Sequence, residues 1–185
     1  MPRRRFIFDP PERFVTGTVG EPGQRTFFLQ ARDGGRVVSV ALEKVQVAVL
    51  ADRLGALLIE LDRRGIAPAD VEPDNEDTSP LDEPLNEAFR AGALTLGWDG
   101  DAERVLVEAR AESEDGEPID PDEDDEEDED GPDLLRVRMT ADAARGFVER
   151  AVRIVASGRP PCPLCGQPLD PNGHLCPRRN GHYVN

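Results

Sequence analysis

The sequence predicts an α+β protein: two βββα repeats packed as one domain, followed by a small C-terminal zinc-ribbon-like segment. Three observations lead there. A strand-strand-strand-helix pattern can be read twice, each reading closes on a long amphipathic helical stretch, and all three cysteines and both histidines lie between positions 162 and 182. With 185 residues, 38% of them hydrophobic, the chain has enough apolar material for one sizeable core or two small ones.

The first unit is assigned to residues 1–65. Residues 14–19 alternate, Glu21-Pro22-Gly23-Gln24 makes a turn, residues 25–31 alternate again, Asp33-Gly34-Gly35 turns the chain, and residues 37–41 form a third strand. Leu42, Val45, Val49, Leu50, Leu54, Leu57, Leu58 and Leu61 then recur at threes and fours, which predicts a helix with these residues facing the core. Glu60 stands four before Arg64, and Gly65 and Pro68 stop the helix. Residues 66–90 read as an acidic, proline-rich linker wrapping the surface, with four prolines and eight acids between positions 66 and 87.

The second unit is assigned to residues 91–158. Strands are expected at 93–98, 104–109 and 134–139, with Asp99-Gly100-Asp101 as the first turn and an acidic insertion, residues 112–133, as an overgrown second turn. Trp98 is expected in the core. Thr140 is a candidate N-cap with Asp142 in the first turn, Ala144, Phe147, Val148, Ala151, Ile154 and Val155 share one helix face, and Gly158 ends the helix before Pro160 and Pro161. Residues 27–32 match 105–110, and 37–42 match 134–139, which is the basis for reading a repeat.

The formal charge of −16 belongs to one segment. Residues 112–133 hold 15 of the 38 acids, and the rest of the chain sets 23 acids against 22 bases. Such a like-charge block repels itself and has little to bury, so it is expected to be disordered and solvated. Net acidity argues against a broad phosphate-binding surface, since that needs clustered Lys and Arg. No run of about 18 apolar residues exists, so a soluble, cytoplasmic protein with no membrane partner is expected.

Chemistry concentrates at residues 159–185. Cys162-Pro163-Leu164-Cys165-Gly166 is a knuckle whose two thiolates face one ion from a tight turn, and Gly166 permits the backbone that turn needs. Cys176 supplies a third sulfur. Either His174 or His182 completes a Cys3His set for structural Zn2+. His174 lies two residues before Cys176, so on an extended stretch both project to one side, and Gly173 makes that half compact. His182 follows an Asn180-Gly181 turn near the terminus. A thioredoxin-like pair would start a helix after a strand, whereas prolines flank this one, and a disulfide would leave the histidines unexplained. Four protein ligands close the shell to catalytic water. The last residues offer only Leu164, Leu169, Leu175, Tyr183 and Val184 as sizeable apolar groups, so metal must replace a core there.

Outside this segment there is no histidine or cysteine, no phosphate loop and no nucleophile elbow. Asp9 and Glu43 are the candidate acids or bases, with Glu43 more simply a first-turn helix residue. A non-catalytic adaptor with a protein partner is the leading expectation. A nucleic-acid factor using Arg178 and Arg179, or an enzyme with a carboxylate and arginine site between the units, are the alternatives.

Phe8-Asp9-Pro10, Val40-Ala41-Leu42-Glu43-Lys44, and the stretch from Gly158 through Cys162 and Cys165 to Gly173-His174-Leu175-Cys176-Pro177-Arg178 together resemble an actinobacterial family of conserved "repeat proteins", a domain of unknown function. The resemblance covers almost the whole chain. It implies a retained Gly-His-x-Cys-Pro step, with an aromatic residue often at the position of His182, which favours His174 as ligand. It also implies genomic proximity to a phosphomutase-like and a kinase-like protein, and no mechanism.

Overall fold

Alternation of apolar and polar residues produces strands here, and apolar residues at threes and fours produce helices. In chain order the elements are β1 (Arg5–Phe8), β2 (Arg13–Val19), β3 (Thr26–Asp33), β4 (Arg36–Leu42), α1 (Lys44–Arg63), β5 (Glu87–Asp99), β6 (Arg104–Ala111), β7 (Leu134–Met139) and α2 (Ala141–Ala156). The computed structural model describes residues 3–67, 76–112, 131–158, 162–166, 169 and 176. The acidic stretch at 113–130 lies outside them, so the expectation of disorder there is not addressed by the described residues.

The fold is mixed α/β. Its strands form one seven-stranded sheet in the order β1-β7-β6-β5-β4-β3-β2. Pairing is antiparallel from β2 to β4 and from β5 to β7, while β4 joins β5 and β7 joins β1 in parallel. The two expected sets of three strands therefore lie edge to edge in one sheet. Residues 5–8, which carry no strand in the sequence reading, form β1 and cover the edge that β7 would otherwise present, with Phe8 only 1% exposed.

One sheet face carries the core. Phe27, Leu29 and Ala31 stand opposite Leu42, Val40 and Val38, and Val105, Val107 and Ala109 opposite Met139, Val137 and Leu135. All of these join Leu50, Leu54 and Leu58 of α1 and Phe147 and Ala151 of α2 in a single apolar cluster. The two helices pack on one another, and a Cβ added at Gly55 would sit 3.8 Å from Val148. Thr140 caps α2 by accepting a hydrogen bond from the Ala143 N–H at 3.2 Å, as expected. Glu43 stands at the N-cap of α1, where its N–H donates to Gln46 Oε1 at 2.7 Å and Gln46 Nε2 donates to the Ala91 carbonyl at 3.0 Å.

Two expectations about the core need correction. Val45 and Val49 are 65% and 45% exposed, because the start of α1 runs beside β5 beyond the point where β4 stops pairing with it. Trp98 is only partly buried and packs against the edge of the core.

The expected linker at 66–90 is shorter than read, because residues 87–90 begin β5 where they pair with β4, and residues 76–86 wrap the edge strand β2. Arg150 of α2 donates to the Thr16 carbonyl at 2.7 Å, the Asp77 carbonyl at 2.5 Å and the Ser79 carbonyl at 2.8 Å, while Arg13 binds Asp77 at 2.6 Å and Asp82 at 2.8 Å. On the same sheet face as Arg13, Gln30 exchanges two bonds with the Asp82 backbone, at 2.7 and 3.0 Å. Leu81 covers Gly17 so closely that an added Cβ would lie 2.6 Å from its Cγ. Loop and sheet edge thus satisfy each other.

Candidate metal centre

The turn after α2 brings the first two cysteines together. The Gly166 N–H donates to the Cys162 carbonyl at 2.8 Å, and Gly166 takes φ +75°, a left-handed conformation that costs a glycine little. Cys162 and Cys165 then point to one spot. Cys176, fourteen positions after Cys162, joins them: the three sulfurs lie within 4.8 Å of one another, with Cys162 Sγ to Cys176 Sγ at 3.9 Å.

All three are free thiols, with Cys162 and Cys176 buried. Backbone N–H groups of Leu164 and Cys165 donate to the Cys162 sulfur and hold its thiol down to about 6, against the opposing effect of burial, with the Cys165 and Cys176 thiols assisting. Thiolate is the form that binds metal. Thiolates bound 2.3 Å from one tetrahedral ion stand about 3.8 Å apart, which the Cys162 to Cys176 spacing already matches. The three cysteines can therefore hold a metal ion as three of its ligands.

His174 and His182 lie outside the described residues, as do Arg178 and Arg179. Neither candidate acid joins the three sulfurs. Asp9 pairs with Arg138 at 3.4 Å, and Glu43 with Arg90 at 3.0 Å.

A second feature escaped the sequence reading. Glu108, 5% exposed, lies between Arg136 and Arg110, and Arg136 Nε donates to its carboxylate. Thr95 Oγ1 donates to the same group at 3.4 Å. The signal was present as Glu108-Ala-Arg110 and Arg136-Val-Arg138, where period-2 alternation puts each charged pair on one sheet face.

A seven-stranded mixed sheet carrying two helices, with a three-cysteine cluster after the last helix, defines a mixed α/β protein with a candidate metal centre. The chain belongs to the family described as "Protein of unknown function (DUF3090)", whose model matches residues 6–176, from within β1 through α2 to the last of the three cysteines. Neither the curated proteins nor the solved structures contain a match to it. No helix among the described residues is long and apolar enough to cross a membrane.

Proposed function

We propose that this protein is a non-catalytic zinc-binding adaptor, in which a structural Zn2+ on Cys162, Cys165, Cys176 and His174 orders residues 159–185 into a ribbon that docks a protein partner. The observation that carries it is the convergence of three free thiols, one of them ionised near neutral pH, with sulfur spacing suited to a tetrahedral ion. Zinc is preferred because a Cys-rich set selects soft or borderline metals, and free thiols suit a reducing, cytoplasmic setting. His174 is taken as the fourth ligand over His182 because the family match ends at Cys176 and includes only the former. A ribbon of this kind has no core of its own, so bound metal supplies roughly 10 to 16 kcal/mol toward its order. Nucleic acid remains the less favoured partner for a chain of charge −16.

The body is read as two copies of one βββα unit. Support comes from the strand order, in which β5, β6 and β7 follow α1 as β2, β3 and β4 precede it, and from the parallel joins at β4 with β5 and β7 with β1.

Elemental analysis of the purified, untagged protein tests the metal. One zinc per chain is expected, lost in Cys162→Ser, lost or weakened in His174→Ala and retained in His182→Ala. Absence of metal together with reversible oxidation of Cys162 and Cys165 would replace the adaptor reading with redox chemistry.

A further inference from the structure

α1 carries apolar residues on two opposite sides. Val47, Leu50, Ala51, Leu54, Leu58 and Leu61 form its buried face. With about 3.6 residues per turn, Val45, Val49, Ala56 and Ile59 fall on the side turned away from that face, and all four are exposed. Val45 and Ile59, at 65% and 60%, are the most exposed large apolar side chains among the described residues. Counted through Asp52, the outer positions follow one another at intervals of four, three, four and three, which is the spacing of a helix-pairing seam. A helix that is apolar on both sides is characteristically covered on both.

The charges on this outer side are self-complementary. Asp52 and Arg53 stand next to each other at the middle of the seam, both exposed and neither in an ion pair among the described residues. Glu60, by contrast, pairs with Arg63 and Arg64 within the last turns of the helix. Asp52 is seven residues from Val45, and Arg53 six from Ile59. A copy of the chain turned by half a revolution about an axis beside the 52–53 peptide bond therefore brings two α1 helices together antiparallel. Asp52 then lies level with the partner's Arg53, Arg53 level with the partner's Asp52, and Val49 level with the partner's Ala56. Val45 comes within one residue, a rise of about 1.5 Å, of the partner's Ile59. A parallel pairing would instead set Asp52 on Asp52 and Arg53 on Arg53, with like charges opposed.

We propose that this face of α1 is the contact between two copies of the chain, packed antiparallel about a two-fold axis. Val45, Val49, Ala56 and Ile59 supply the apolar seam, and two reciprocal Asp52–Arg53 pairs fix its register. Exposed pairs of this kind contribute little affinity but penalise wrong alignments, so the seam carries the strength and the charges the specificity. A contact built on one helix pair about 30 Å long is small, and the dimer is expected to dissociate in the micromolar range.

Sedimentation equilibrium of the full chain from about 1 to 300 μM tests this, with a rise from one chain to two expected across that range. Ile59→Glu, on the side away from the core, should weaken association about tenfold or more, while Val19→Glu, at a half-exposed position on β2, should leave it unchanged. Asp52→Arg and Arg53→Asp should each weaken it about tenfold, since each brings like charges together. An equimolar mixture of these two variants should recover the dimer, because unlike charges then face each other in both pairs. A monomer at every concentration, a dimer indifferent to Ile59→Glu, equal loss in Val19→Glu, or a mixture that fails to recover would each overturn the proposal. A chain that stays monomeric and is destabilised by Ile59→Glu would assign the face to a cover supplied by the chain itself, and would overturn it as well.

Discussion

Glu108 stands directly opposite Arg136 in the β6–β7 register, on the sheet face away from the helices, and the two side chains bond to each other within a nearly dry patch. Charges placed so deep depend on their partner, because the loss of hydration is offset only by the pairing. Glu108→Ala should therefore destabilise the protein by about 3 kcal/mol in urea melts, as removal of one member of a buried pair does elsewhere. Glu108→Gln should cost less, since its amide oxygen still accepts from Arg136. A double change to Leu and Met at 108 and 136 should recover most of the loss. Equal losses in all three variants would mean that the pair does not act as a unit.

Asp77 ties the wrapping loop to β2 and α2. The bond from the Arg13 side chain holds its carboxyl below the ordinary aspartate range, against the opposing effect of burial, with Arg13 and Arg150 charges and the Ser79 N–H helping. A carboxyl depressed on folding contributes stability that is complete above the unfolded value, about 3.9, and disappears as pH falls through its lower folded value. Stability should thus drop as pH falls below about 4, and Asp77→Asn should flatten that part of the curve. At pH 7 the variant should lose about 1 kcal/mol, a modest figure because the carboxylate is a third exposed and screened by solvent. Chemical melts across this pH range decide it.

Gly17 tests how the loop covers the sheet. A methyl group there meets Leu81 at 2.6 to 3.0 Å, so the leucine must move. Gly17→Ala should cost about 1 to 2 kcal/mol, the usual range for overpacking. Combined with Leu81→Ala it should cost little beyond Leu81→Ala alone, since the clash is then gone. Strict additivity would show that Leu81 does not rest on Gly17.

Legibility differed among these features for physical reasons. The strand at 134–139 was readable because it alternates without a break from Leu135 to Met139 and Thr140 marks the next helix. The start of β5 was not: Glu87 and Arg90 alternate weakly after Pro84, and the parallel partner that makes a strand of them lies far away in sequence. β1 is four residues long and depends wholly on β7. Periodicity gave the buried stripe of α1 but could not tell where the helix outruns the sheet, so Val45 and Val49 were misplaced. At the candidate centre the cysteines were evident from type and spacing, whereas type alone does not choose between His174 and His182, which lie outside the described residues.

Metal removal should act locally. Cys162 and Cys176 are buried, yet neither belongs to the apolar cluster that joins the sheet to α1 and α2, so the body does not depend on them for packing. Local order that comes from a bound ion is lost on chelation, while elements held by a common core keep the protection of the global fold. Hydrogen exchange with and without chelator should therefore show faster exchange at Leu164, Cys165 and Gly166, with Leu29, Val40, Val107 and Val137 unchanged. Cys165→Ser should reproduce the chelated pattern without altering the main unfolding transition. If the sheet amides exchanged faster as well, the cysteine cluster would be part of the body's cooperative unit and not a separable segment attached after α2.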